Sequence, residues 1–126
     1  MADVLLTHSY HLARDAKQFR KMQPYPPLGT LYAATALRSA GISVAVYDTM
    51  FAEPVPGFRA ALEEHRPKIV VIHEDDFNFV TKMCLMHMRE LANELATIAR
   101  RAGITVIAIA LYHRAGNRPH FARKAI

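Results

Sequence analysis

KIVVI, residues 68–72, is the stretch that decides the fold. Its four consecutive β-branched residues show no polar alternation, which is typical of a strand buried on both faces of a parallel sheet. Such a strand needs helices on both sides, because each face of the sheet must be covered by apolar side chains. The stretch therefore predicts an α/β domain.

Segments that surround this strand alternate between helical and extended patterns. Residues 56–65 carry apolar side chains at helical spacing and end before Pro67, since the residue that precedes a proline avoids helical angles. A longer helix is predicted over 78–101, with Gly103 as its stop signal. A fourth strand is then expected over 104–110.

The N-terminal part repeats the pattern. Residues 3–7 are predicted to form the first strand, and a polar loop follows. Residues 28–40 show apolar side chains every three or four positions, and Gly41 stands where a left-handed helix cap belongs. With a second strand over 42–47, the order predicts a doubly wound, Rossmann-like or flavodoxin-like parallel sheet of four to five strands, incomplete at the C-terminus.

The C-terminal residues depart from this alternation. Residues 111–126 show neither a strand pattern nor an apolar helical stripe, so we expect one domain over 1–110 and a basic, poorly ordered tail over 111–126. No acidic residue follows Glu94, and the tail holds four of the basic residues behind the net charge of +5. The positive charge is therefore a property of the tail, and we expect no nucleic-acid partner.

Composition narrows the class of protein further. No apolar run approaches the roughly 18 residues that would span a bilayer, and the N-terminus lacks the pattern of a signal peptide, so we expect a cytoplasmic protein without membrane contact. The single cysteine, Cys84, excludes an internal disulfide. One cysteine also cannot hold a tetrathiolate zinc ion or an iron–sulfur cluster on its own.

Ligands of an open parallel sheet bind beyond the carboxyl ends of the strands, in the crevice where the connections diverge. The phosphate-binding motifs usual at that position are absent, because the first strand is followed neither by G-x-G-x-x-G nor by a Walker lysine. A phosphoaspartate receiver is disfavoured too, since Thr7, His8 and Ser9 occupy the position of its paired acids.

The start of the helix over 28–40 carries a family resemblance. Residues 26–34 read PPLGTLYAA, residues 37–42 read LRSAGI, and the next strand ends at Asp48. With the short first strand and its long loop, this arrangement resembles the N-terminal cobalamin (vitamin B12)-binding domain of radical S-adenosylmethionine enzymes. The resemblance spans residues 3–110 and implies a module that holds cobalamin at the carboxyl edge of the sheet and presents the corrin to a following catalytic barrel.

The resemblance also implies which residues contact the cofactor. They are Ser9, Tyr10, Pro27, Leu28, Gly29, Asp48, His73, Glu74 and Asp75. It implies no catalytic residue and no metal ligand here, and the Asp-x-His-x-x-Gly motif of cobalamin mutases is absent, so no axial histidine is predicted. S-adenosylmethionine and its iron–sulfur cluster would belong to a separate catalytic domain, because the C-x-x-x-C-x-x-C motif is absent; this chain alone is not expected to be catalytic.

Two other functions stay open. Without a fifth strand the sheet would expose an edge, and exposed edges recruit further strands, so the chain could be an assembly domain that forms a homodimer without a cofactor. A small enzyme that uses Asp48 and His73 in the crevice is the third reading.

Each singled-out segment also has a purely structural interpretation. Residues 26–29 could be a rigid helix start, and the acidic stretch 73–76 could favour a helix N-terminus. His8 and His11 could pair on a metal or be exposed loop histidines. Met83, Cys84 and His87 share a helical face suited to copper(I), but a core role for this methionine-rich segment is favoured.

Overall fold

The computed structural model describes residues 1–11, 20, 27–50, 53–73 and 85–109, with side chains from 88 onward in the last segment. Strands and helices alternate through these residues. The elements are β1 (Val4–Thr7), α1 (Leu28–Ser39), β2 (Val44–Tyr47), α2 (Pro54–His65), β3 (Ile69–His73), α3 (Leu85–Arg101) and β4 (Thr105–Ile109). The predicted tail and the first seven residues of the predicted long helix lie outside the described residues.

The four strands form one sheet in the order β2-β1-β3-β4, and every neighbouring pair is parallel. Leu6 of β1 stands opposite Val46 on one side and Val71 on the other, and Val71 of β3 also stands opposite Ile107 of β4, so β1 and β3 lie in the interior of the sheet. The predicted α/β class and its parallel sheet are confirmed.

Helices cover both faces of the sheet, as the unbroken apolar run in β3 predicts. Val70 packs with Leu5 and with residues of α2 and α3, whereas Val71 packs with Leu6 and with Ala34 of α1. Neighbouring residues of β3 thus enter opposite cores, because side chains alternate along a strand. Each fully buried aliphatic side chain stabilises the fold by about 1.5–3 kcal/mol.

Glycine and proline residues mark the ends of the helices. Gly41 and Gly103 have φ values of 84° and 78°, so both occupy the left-handed conformation expected after a helix. α2 begins at Pro54, two residues before the predicted start, because a proline suits the first helical position, where no amide donor is needed. None of the described helices is long and apolar enough to cross a membrane.

Candidate functional site

The carboxyl ends of β1 and β3 form the switch point of this sheet. The chain leaves β1 through α1 towards β2 on one side, whereas β3 lies on the other side of β1. Because α1 joins two parallel strands, it runs back against them and begins at this same carboxyl edge. The loops after β1 and β2, the end of β3 and the start of α1 therefore meet where such folds bind ligands.

A buried histidine joins the ends of β1 and β2. His8 is 1% exposed, and its Nε2 lies 2.6 Å from Oδ1 of Asp48, while the Tyr10 amide lies 3.4 Å from its Nδ1. Because a carboxylate only accepts hydrogen bonds, Nε2–H is the donor to Asp48, and Nδ1 lies on the side of the Tyr10 amide. The imidazole is thus engaged on both nitrogens.

Asp48 is the acceptor at the centre of this arrangement. Its Oδ1 also accepts the Met50 amide proton at 2.9 Å, and its side chain is half-exposed. Burial alone would raise the pKa of Asp48, but the hydrogen bonds from His8 and Met50 and the attraction of His8 outweigh it, so the pKa lies below its usual value. The pKa of the neighbouring Tyr47 is raised, mainly because the residue is partly buried and secondly because of the negative charge of Asp48. Asp48 is therefore ionised at neutral pH.

Thr49 also links the loops that follow β1 and β2 through buried hydrogen bonds. Its hydroxyl donates to the Tyr10 carbonyl at 2.6 Å, and its own carbonyl accepts the Nδ1–H of His11 at 2.8 Å. His8 and His11 are both buried, so their interpretation as exposed loop histidines is wrong. The segment 8–11 is held on the sheet by a network of buried hydrogen bonds rather than lying loose in solvent.

The ring of Tyr10 points into the protein. It is 1% exposed and packs with Met50 and with Met88 of α3. Met88 is the described side chain of the methionine-rich segment, and its burial agrees with the core interpretation. The Tyr10 ring therefore belongs to the core beneath the carboxyl edge of the sheet. Its contact with a cofactor stays a prediction.

Three buried polar atoms near the switch point have no hydrogen-bond partner in the described part of the chain. They are Ser9 Oγ, Thr30 Oγ1 and His73 Nδ1. Because buried polar groups are almost always hydrogen-bonded, each such atom calls for an explanation.

The sequence positions of these three residues bring them to one region. Ser9 lies two residues beyond β1, and His73 ends the adjacent β3. Thr30 stands one helical turn before Ala34, which packs against Leu6 and Val71, so Thr30 lies towards the carboxyl ends of these strands.

The predicted cofactor residues fall into distinct groups. Ser9, His73 and the α1 start share the carboxyl edge; Pro27 is buried, Gly29 half-buried and Leu28 54% exposed. Asp48 shares it too but is engaged by His8. Glu74, Asp75 and the copper(I) candidates Met83 and Cys84 lie outside the described residues, and of His87 only the backbone, within α3, is described.

His8, Thr30 and Thr49 were not among the cofactor contacts that the sequence predicted. For His8 a signal existed, because it directly follows β1 as Asp48 directly follows β2, and parallel neighbours end at the same edge. For the two threonines no signal existed, since their burial depends on how the loops pack.

Among the described residues, no group of three or more histidine, cysteine or acidic side chains is placed so that it could hold a metal ion. No protein-family model, curated protein or solved structure matches the chain. A function for this edge is thus inferred from its geometry and from the resemblance at the start of α1.

Proposed function

We propose that the domain binds cobalamin at the carboxyl edge between β1 and β3, as the cofactor-binding module of a radical S-adenosylmethionine enzyme. One observation carries the proposal. Ser9 and His73, both implied as cofactor contacts by the resemblance, lie two residues beyond β1 and at the end of the adjacent β3, and both carry buried polar atoms without a described partner. Such atoms suit the polar groups of a ligand that enters the switch point.

The residues at this edge fit the two chemical parts of cobalamin. The Ser9 hydroxyl and the His73 imidazole offer hydrogen bonds to its polar nucleotide tail. Leu28 is exposed at the start of α1 and offers apolar surface to the corrin. Bound cobalamin would supply a cobalt–carbon bond for methyl transfer or rearrangement in the partner catalytic domain.

The described side chains of this domain bind and orient rather than react. Both ring nitrogens of His8 have hydrogen-bond partners, and Oδ1 of Asp48 accepts hydrogen bonds from His8 and the Met50 amide. Thr49 fixes the loop that carries Ser9 before any ligand arrives. A loop ordered in advance lowers the entropy cost of binding, which is the role expected of a cofactor module.

A visible-absorbance titration with hydroxocobalamin, followed by desalting, tests this proposal. We expect the folded domain to retain the corrinoid with a shifted spectrum. Ser9→Ala and His73→Gln should each raise Kd about 5- to 10-fold, the effect of one lost hydrogen bond. Thr97→Val is the control, because Thr97 is exposed on α3 and bonds only the Asn93 carbonyl. A folded protein that releases all corrinoid on desalting would refute the proposal.

Self-association through β4 is a second candidate, favoured by a different observation. Among the described strands β4 pairs with β3 alone, and Ile107 and Ile109 are 38% and 39% exposed. Exposed apolar edge strands recruit further strands. Sedimentation velocity should then show a dimer that Ile107→Lys disrupts, and a monomer at high concentration would contradict it.

The proposed function also places the protein in the cytoplasm. A radical catalytic domain needs a reduced iron–sulfur cluster, and a reducing compartment keeps cluster-binding thiolates intact. Fractionation of cells that produce the protein should recover it with cytoplasmic markers; recovery with the membrane fraction would oppose this placement.

A further inference from the structure

The N-terminal turn of α1 presents two backbone amides, those of Leu28 and Thr30, that the helix itself does not satisfy. The first bond into this twelve-residue helix runs from the Leu31 amide to the Pro27 carbonyl at 3.0 Å. The Leu28 and Thr30 amides, which precede it, thus have no acceptor within the helix. No side chain caps this end and no acidic residue stands in the first turn, so the positive end of the helix dipole is not neutralised locally.

A buried hydroxyl is directed towards the same turn. Thr30 is fully buried and its Oγ1 has no partner among the described residues. Helical Cα–Cβ bonds tilt towards the N-terminus, so this hydroxyl is directed to the start of α1. α1 packs over β1 and β3, and Ser9 lies two residues beyond β1 while His73 ends β3. Ser9 Oγ and His73 Nδ1 are also buried without a described partner.

We propose that this turn, with Thr30, Ser9 and His73, binds a phosphate group. The Leu28 and Thr30 amides, two hydroxyls and an imidazole N–H are donors, and phosphate oxygens are acceptors that helix N-termini favour. Asp48 is the described carboxylate at this edge. Its Oδ1 already accepts hydrogen bonds from His8 and from the Met50 amide.

The phosphate has two possible sources with the same chemistry. One is the phosphodiester in the nucleotide tail of cobalamin, in which case the assignment rests on the proposed function. The other is the phosphate of a different nucleotide or of a phosphorylated metabolite. The site is defined by its donors in both cases, so inorganic phosphate serves as the probe.

Amide chemical shifts in a phosphate titration test the site directly. We expect inorganic phosphate to shift the amides of Leu28 and Thr30, and Thr30→Val to raise the apparent Kd about tenfold. The variant should stay folded, because valine is nearly isosteric and removes a buried hydroxyl without a partner. Thr35→Val is the matched control, since Thr35 lies exposed on the same helix and donates to the Leu31 carbonyl. Unchanged amide shifts, or equal weakening in both variants, would overturn the proposal.

Cobinamide, which lacks the phosphodiester and base of cobalamin, distinguishes the sources. If the phosphodiester is the ligand, Thr30→Val weakens hydroxocobalamin binding and leaves cobinamide binding unchanged. Phosphate binding by a domain that retains no cobalamin would support the phosphate site and refute the proposed function. Cobalamin binding that is insensitive to Thr30→Val, with no amide shifts in phosphate, would refute the phosphate site and leave the proposed function standing.

Discussion

Replacing Asp48 with alanine removes the acceptor of two hydrogen bonds where β1 and β2 end. The bonds from His8 Nε2–H and from the Met50 amide, at 2.6 and 2.9 Å, both reach Oδ1. Because His8 is 1% exposed, its N–H would stay buried without its acceptor, which costs about 1–3 kcal/mol. The lost Met50 bond adds about 0.5–1.5 kcal/mol. We expect Asp48→Ala to lower the free energy of unfolding by about 3 kcal/mol.

Asparagine at the same position separates charge from hydrogen bonding. Its amide oxygen can accept both bonds, so Asp48→Asn should cost only about 1 kcal/mol at pH 7. The pKa of Asp48 is lowered in the folded protein, so its charge contributes fully above the unfolded pKa near 4 and is lost as the pH falls through the folded value. The stabilities of wild type and Asp48→Asn should therefore converge below about pH 4.

Urea denaturation followed by circular dichroism at pH 7 and pH 3 measures both effects. Asp3→Ala is the control, because Asp3 pairs with Lys68 at 3.0 Å on an exposed surface, where such a pair contributes about 0–1 kcal/mol. If Asp48→Ala costs no more than Asp3→Ala, the His8–Asp48 pair does not hold the two loops. If the deficit of Asp48→Asn is the same at both pH values, the charge of Asp48 has no part in it.

Three further substitutions test the packing that supports the site. Thr49→Val removes the donor to the Tyr10 carbonyl and should lower the unfolding free energy by about 1–2 kcal/mol in urea, whereas no loss would mean that the loop is held by other contacts. Phe58→Ala should cost about 3–5 kcal/mol, because Phe58 is fully buried between the sheet and α3; a loss below about 1 kcal/mol would place Phe58 outside the core. Gly57→Ala would bring a Cβ into collision with the Tyr47 hydroxyl, so its thermal midpoint should fall and partly recover in the double variant with Tyr47→Phe; equal midpoints for single and double variants would contradict this contact.

The fold was predictable because its signals are local. Residues 69–72 form an apolar run that a parallel sheet must cover on both faces, and the structure places Val70 and Val71 in opposite cores. Gly41 and Gly103 ended the predicted helices correctly, since only a residue that tolerates positive φ suits those positions.

The site was less predictable, because it depends on contacts between distant segments. His8 and Asp48 are forty residues apart and meet only because β1 and β2 are parallel neighbours. Thr30 is not one of the apolar residues that predicted the helix over 28–40, and nothing in its sequence context distinguishes a buried, unpartnered hydroxyl from an exposed one. Tyr10 was predicted to contact a ligand, yet its ring packs with Met50 and Met88, a contact that only tertiary packing creates.

Equilibrium dialysis of the folded domain against hydroxocobalamin tests cobalamin binding at the carboxyl edge most directly. Wild type and Thr97→Val should bind one corrinoid per chain with the same Kd. The double variant Ser9→Ala/His73→Gln should raise that Kd about 25- to 100-fold if its two lost hydrogen bonds add. No binding by wild type, or equal binding by all three proteins, would contradict a cobalamin site between β1 and β3.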